Sequence, residues 1–100
     1  MIEHSRYARL HAADMDEESF LKDLKTIHAV TRCIEIIGEA ARGVPEEIRA
    51  RAPGVPWAQI VGTRNILAHA YGRVDGSILY RLLHPGLALL ESELSALLAE

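Results

Sequence analysis

The chain has 100 residues, 49% of them hydrophobic, which suffices for one small domain over residues 1–100 with a core of its own. A net charge of −3 and a pI near 5.9 argue against broad, nonspecific nucleic-acid binding. The single cysteine, Cys33, excludes a disulfide framework and a CxxC site, and no apolar run is long enough for a signal peptide or a membrane span. We therefore expect a cytoplasmic protein with no membrane association.

The composition favours helices over strands. Ala, Leu, Ile, Arg and Glu are abundant, and no stretch alternates convincingly at period two, so we expect an all-α fold. The charge is uneven along the chain: residues 1–23 carry six acids, whereas residues 40–81 carry six arginines and three acids. A locally positive cleft is therefore compatible with the negative total.

The first helix is expected over residues 1–12, with Tyr7 and Leu10 on its apolar side. His4 and His11 lie two turns apart on it. Two histidines without a third ligand do not indicate a metal site, and none is expected.

The longest helix is expected from about residue 23 to residue 42, ended by Gly43, because apolar residues recur there at spacings of three and four. The acidic run before it, residues 14–18, is expected to begin a shorter helix with Asp14 or Asp16 as its N-cap. The apolar stripe of the long helix consists of Leu24, Ile27, Val30, Ile34, Ile37 and Ala41.

Two glutamates of this helix, Glu35 and Glu39, lie one turn apart. The spacing suits paired carboxylates in acid–base chemistry, but two exposed glutamates are the simpler interpretation. A bolder interpretation makes Glu39 the ionic partner of a buried arginine, for which Arg64 is the candidate. Gly38 beside it indicates close contact with another helix.

A helix from residue 56 to residue 72 carries the side chains most suggestive of chemistry. Pro56 suits a first helical turn and Gly72 a left-handed C-cap. Gly62, Asn65 and His69 form a polar strip, and a helical glycine costs about 1 kcal/mol relative to alanine, which suggests close approach by another backbone. The apolar stripe, with Arg64 at its middle, consists of Trp57, Ile60, Val61, Leu67, Ala68 and Tyr71.

Two interpretations of Arg64 and His69 stay open. Arg64 can simply reach a carboxylate or a carbonyl while His69 is half-exposed. Alternatively the two act on one phosphate, since a guanidinium is permanently charged and an imidazole, with an unperturbed pKa near 6.5, can give or take a proton. Five positions separate them, so they point about 140° apart on one helix, and two copies related by a two-fold axis could make them converge.

The C-terminal part is expected to form a helix capped by Asp75 and interrupted at Pro85, because proline removes a backbone hydrogen bond. Residues 45–51 form a short connecting helix before it. His84 is expected to be structural or exposed, and Glu91 and Glu93 to point outward. No glycine-rich phosphate loop, Ser-His-Asp order or zinc spacing occurs, so we expect no cofactor.

Three segments resemble a known family. I-I-G-E-A-A begins at Ile36, P-W-x-x-I-V-G-x-R-N begins at Pro56, and R-N-I-L-A-H-A-Y begins at Arg64. The last is similar to the R-x4-H-x-Y signature of the HEPN superfamily, in particular of its HepT-like toxins, and the agreement covers most of residues 20–85.

The resemblance implies an antiparallel bundle of four to five helices that forms a homodimer. We expect its last helix to be kinked at Pro85 and its site to lie at the dimer interface. The resemblance further implies a metal-independent endoribonuclease toxin that cleaves RNA through attack by the 2′-hydroxyl. Arg64 and His69 would be catalytic, with Asn65 and Glu39 in support. A partner nucleotidyltransferase antitoxin would neutralise the toxin by attaching AMP to Tyr71. The alternative is a non-catalytic protein-interaction module in which Arg64 is structurally paired.

Overall fold

The computed structural model describes residues 1–69 and 75–99, and of His69 only the backbone. These residues form helices and no strand, which confirms the all-α prediction, and no described helix has the length and apolar character needed to cross a membrane. The helices in chain order are α1 (Ile2–His11), α2 (Glu17–Lys22), α3 (Leu24–Arg42), α4 (Glu46–Arg49), α5 (Trp57–His69), α6 (Gly76–Arg81) and α7 (Ala88–Leu98).

The long helix α3 makes the most extensive contacts with other helices. It contacts α1 and α5 most extensively, while α1 also lies against α7, and α2 against α6. Its predicted stripe is buried from Val30 onward, whereas Ile27 is partly buried and Leu24, in the first turn, is 65% exposed. The core contains the fully buried residues Phe20, Val30, Ile34, Ile37, Ile60, Leu82, Leu83, Leu87 and Leu90.

Aspartate caps begin α2, α3 and α6, and those of α2 and α6 agree with the sequence prediction. Of the two candidates before α2, Asp16 is the cap: its Oδ1 accepts the backbone N–H of Ser19 at 2.8 Å. That hydrogen bond lowers the pKa of the Asp16 carboxyl. Asp23 caps α3 through the N–H of Thr26 at 3.0 Å, and Asp75 caps α6.

The short connecting helix α4 fixes where α5 begins. The Arg49 side chain donates to two carbonyl oxygens at the end of α3, to Ala41 at 2.7 Å and to Val44 at 3.1 Å. Its guanidinium also lies 5.6 Å from the centre of the Trp57 ring, and the indole N–H of Trp57 donates to the carbonyl of Ala52 at 3.0 Å. The first turn of α5 is thereby tied to the last turn of α3.

The predicted interruption at Pro85 is confirmed. Residues Leu82–Leu87 form an irregular turn between α6 and α7, in which His84 has a non-helical backbone (φ −131°, ψ 104°). The reason is local, since proline disfavours the helical conformation of the residue before it. His84 is exposed, and its ring packs against Tyr80 with 5.1 Å between ring centres.

The prediction of which face of α1 is buried is wrong. Tyr7 and Leu10 are 45% and 71% exposed, whereas Ser5 and Ala8 are fully buried, so the helix turns its small residues toward its neighbours. Small side chains let α1 approach α3 and α7 closely, and a pattern search for large apolar residues overlooks them.

Glu91 does not point outward as expected, since its side chain is only 13% exposed. Its carboxylate accepts hydrogen bonds from the hydroxyl of Ser5 at 2.9 Å and from Arg9 at 2.8 Å. These partners come from α1, about 80 residues earlier in the chain, so no local pattern around Glu91 reveals them.

Candidate functional site

The site is built where α5 crosses the second half of α3. Trp57, Ile60 and Thr63 bury one face of α5 in the core, and Arg64 follows at the edge of that face. The side chain of Arg64 is 21% exposed, so it is partly buried rather than fully buried. Its stem therefore lies between the two helices, and its guanidinium reaches their surface.

Gly38 of α3 makes room for this stem. A Cβ atom added at Gly38 would overlap Arg64 Cβ and would lie 2.7 Å from Arg64 Cγ and 3.3 Å from the carbonyl oxygen of Ile60. Only glycine fits at this contact distance, which confirms that Gly38 marks a tight helix contact. The sequence therefore revealed the contact but could not tell which residue it accommodates.

The guanidinium of Arg64 is held by Glu39, the residue after this glycine. Arg64 Nη2 lies 2.7 Å from Glu39 Oε2, which confirms the pairing that the sequence suggested as its bolder alternative. Arg42 approaches the same oxygen at 3.6 Å. Glu39 is nevertheless 62% exposed, so one carboxylate at the surface lies between two arginines.

Asn65 supplies a second contact. Its Oδ1 accepts a hydrogen bond from Arg64 Nη1 at 3.3 Å, although the side chain itself is exposed. A guanidinium carries five N–H donors, and these two contacts use two of them. The planar fork is thus oriented by two neighbours and keeps donors suited to the oxygens of a phosphate.

A groove of about 530 Å³ runs between α3 and α5 beside this pair. Its lining combines two arginines and two glutamates with three apolar residues. The residues that line it are Arg32, Glu35, Ile36, Glu39, Ala40, Arg64 and Ala68. Charged and apolar surface within one groove is typical of a ligand-binding site.

Sequence reasoning missed Arg32, which pairs with Glu35 at 3.3 Å in the same groove. The signal was present, because Arg32, Glu35 and Glu39 recur at spacings of three and four and so share one face of α3. Glu35 and Glu39 do not act as a carboxylate pair here. Each is bound to arginine instead.

The face of α5 that points away from α3 is exposed at Asn65 and Ile66. Asn65 is exposed, Ile66 is 45% exposed, and among the described residues no atom outside the neighbouring backbone of α5 lies within 4 Å of a Cβ added at Gly62. None of the described residues makes the close approach expected at Gly62. An apolar and small-residue surface of this kind is available to a second molecule.

Three predicted features lie at or beyond the end of the described helix. His69 is the last residue of α5, and the structure describes its backbone but not its side chain. Tyr71 and Gly72 lie outside the described residues, so their expected roles stay predictions. Among the side chains that the structure describes, no group of three His, Cys, Asp or Glu residues could hold a metal ion.

Comparison of the sequence with known proteins identifies relatives of this chain. The family model described as "Ribonuclease HepT-like" matches residues 1–97. The protein named "Putative RNase MJ1380" of Methanocaldococcus jannaschii is 36% identical over 80 residues, which are 80% of this chain and 73% of that protein. "Probable ribonuclease HepT" of Thermococcus cleftensis is 42% identical over 64 residues, which are 64% of this chain and 58% of that protein.

A further relative, "Putative RNase MJ0125" of Methanocaldococcus jannaschii, is 42% identical over 62 residues, or 62% of this chain and 53% of that protein. The matched segments therefore span about half to three quarters of these relatives. No solved structure matches the chain. Because the family model covers almost all of its residues, the chain belongs to the HepT-like ribonuclease family.

Proposed function

We propose that the protein is a metal-independent endoribonuclease that cleaves RNA at the groove between α3 and α5. The observation that carries the proposal is the Arg64 guanidinium, oriented by Glu39 at 2.7 Å at the edge of a groove, in a chain of a ribonuclease family. A guanidinium fixed in this way is complementary to a phosphate group.

RNA supplies its own nucleophile, so the protein has little covalent chemistry to perform. The 2′-oxygen forms a bond to phosphorus, the bond from phosphorus to the 5′-oxygen breaks, and the products are a 2′,3′-cyclic phosphate and a 5′-hydroxyl. The 2′-hydroxyl loses a proton and the leaving 5′-oxygen gains one. Proton transfer and stabilisation of the charge on phosphorus are therefore the two tasks for side chains.

Arg64 and His69 divide these tasks. Arg64 is permanently charged and stabilises the developing negative charge on the phosphate oxygens, and it cannot serve as a base. His69 moves the proton, since an imidazole changes protonation state near neutral pH, an effect typically worth a factor of about 10² to 10⁴ in rate. Glu39 and Asn65 hold the guanidinium at the angle that the phosphate needs.

The working form in this proposal is a homodimer. Arg64 faces α3, and His69 follows it by five helical positions, about 140° around the axis of α5. A two-fold axis beside α5 brings the arginine of one protomer near the histidine of its partner. The exposed Asn65 and Ile66 and the open space at Gly62 supply a surface for that contact.

Regulation by a partner enzyme completes the proposal. A small nucleotidyltransferase antitoxin joins the Tyr71 hydroxyl to the α-phosphorus of ATP and releases pyrophosphate. The attached AMP brings a negative charge and bulk two residues from His69, where they compete with RNA for Arg64. Tyr71→Phe then leaves cleavage intact and abolishes the mass gain of AMP that incubation with the partner and ATP produces.

The alternative function is a non-catalytic interaction module, and the Arg64–Glu39 pair also fits this function. Cleavage of RNA by the purified protein separates the two. We expect cleavage that survives EDTA, and loss of cleavage in Arg64→Ala and in His69→Ala with helical content and sedimentation unchanged. Cleavage abolished by EDTA would contradict metal independence, and variants that unfold would support the structural role of Arg64.

A further inference from the structure

The end of the groove away from Arg64 carries a second arginine with a different character. Arg32 lines the groove but is 71% exposed, and its carboxylate contact is Glu35 at 3.3 Å, three residues along the same helix. Exposed pairs of this kind contribute roughly 0 to 1 kcal/mol, so a ligand can displace the contact at little cost. Arg64, at 21% exposure and 2.7 Å from Glu39, is fixed.

The distance between the two arginines suits a strand of RNA. Arg32 and Glu39, the partner of Arg64, lie seven positions apart on α3, a separation of roughly 10 Å along the helix axis. A flexible arginine side chain covers part of this length, so the two guanidinium groups can reach neighbouring phosphates of one strand. The same groove is lined by Ile36, Ala40 and Ala68, apolar side chains against which the face of a base can lie.

The charges along the groove are consistent with such a ligand despite the two carboxylates. Glu39 lies between Arg64 and Arg42, which offset its charge, and Arg64 has further N–H donors besides those that contact Glu39 and Asn65. Glu35 is bound to Arg32, so it competes with a phosphate for that guanidinium. Glu35 should therefore weaken RNA binding, whereas Arg32 should strengthen it.

We propose that the Arg32 end of the groove is an RNA subsite, in which Arg32 binds the phosphate next to the scissile one and Ile36, Ala40 and Ala68 accommodate the base between them. This proposal rests on the proposed ribonuclease activity. The subsite would position the nucleotide next to the scissile phosphate. It acts in substrate binding, while the proton transfers take place at Arg64 and His69.

The test compares two opposite substitutions with two matched controls. Arg32→Gln removes a positive charge from the groove, and Arg81→Gln removes one from the exposed surface of α6. Glu35→Gln removes a negative charge from the groove, and Glu18→Gln removes one from α2, where Glu18 pairs with Lys22. The probe is a short single-stranded RNA with 2′-O-methyl groups, which binds without being cleaved.

We expect Arg32→Gln to weaken binding about tenfold, the effect of losing one charge-assisted contact, and to lower the salt dependence by about 0.7 in slope. Glu35→Gln should tighten binding about threefold. Arg81→Gln and Glu18→Gln should leave the affinity unchanged. Equal effects of groove and control substitutions would reduce the result to net charge and overturn the subsite, as would no effect of Arg32→Gln.

Cleavage separates a failed subsite from a failed function. With cleavable RNA, Arg32→Gln should raise KM and leave kcat unchanged. With a dinucleoside monophosphate, whose single phosphate is the scissile one, the variant should match the unsubstituted protein. Unchanged KM on longer RNA would overturn the subsite alone, whereas an unsubstituted protein that cleaves neither substrate would overturn the ribonuclease proposal.

Discussion

Gly38 determines how closely α5 can approach α3, and through this contact it places Arg64. We expect Gly38→Ala to destabilise the protein by a net of about 1 to 2 kcal/mol, because overpacking outweighs the better helix propensity of alanine. Urea unfolding followed by circular dichroism measures the change. Gly62→Ala is the matched control on α5, since the added Cβ meets no neighbouring atom within 4 Å in the part of the chain that the structure describes. Equal stability of the two variants would contradict the tight contact.

Glu39 is expected to position Arg64 without adding much to stability. Its exposed carboxylate limits the energy of the ion pair, so Glu39→Ala should change the free energy of unfolding by less than about 1 kcal/mol. Misplacing the guanidinium should lower kcat about tenfold with little change in KM. Glu39→Gln should recover part of the rate because an amide oxygen still accepts from Arg64. A purely structural Glu39 would leave kcat untouched.

Several individual residues of the candidate site were predictable from the sequence. The Gly38–Glu39 pair, with its partner Arg64, follows from a glycine in a helix and an arginine in an apolar stripe. Arg32 was missed because an exposed arginine beside a glutamate is ordinary on any helix surface. Only the groove between α3 and α5 distinguishes it.

Helix ends respond to pH through their caps, and α2 provides the clearest case. The hydrogen bond from the Ser19 backbone N–H lowers the pKa of Asp16, so this contact stabilises the fold above the unfolded carboxyl pKa of about 3.9. The stabilisation is lost as the pH falls through the lower pKa of the folded state. Asp16→Asn retains a capping oxygen that does not titrate.

The expected result is that the unsubstituted protein loses stability relative to Asp16→Asn only as the pH falls below about 4. Urea unfolding at a series of pH values measures the difference. Asp14→Asn, at a residue that does not cap α2, controls for the loss of one acid. A constant difference between the protein and Asp16→Asn across the acid range would show that the cap does not titrate as described.

Elements were predictable where large apolar residues repeat and not where small residues pack. The spacing in α3 revealed its buried face, with Leu24 as the exception because it lies in the first turn, beyond the core. In α1 the buried residues are Ser5 and Ala8, whose size carries no hydrophobic signal. Glu91 joins α1 and α7 through Arg9 and Ser5, a contact that depends on packing between the two ends of the chain.

At the scale of the whole molecule, the proposed dimer shares each site between two chains. Arg64→Ala and His69→Ala should both be inactive alone. After subunit exchange between them, half of the dimers are mixed and each has one complete site, so about a quarter of the full activity should return. Absence of any recovery, in a sample that sedimentation shows to be mixed dimers, would place both side chains of a site on one chain.

The terminal groups of the RNA fragments test the proposed mechanism, attack by the 2′-hydroxyl, most directly. Cleavage by 2′-hydroxyl attack leaves a 2′,3′-cyclic phosphate on one product and a 5′-hydroxyl on the other. Mass spectrometry of the fragments from a defined RNA should show these ends, with and without EDTA. The same RNA with a single 2′-deoxy nucleotide at the cleavage position should not be cleaved there, because it lacks the nucleophile. Fragments that carry a 3′-hydroxyl, or cleavage at the deoxy position, would contradict the mechanism.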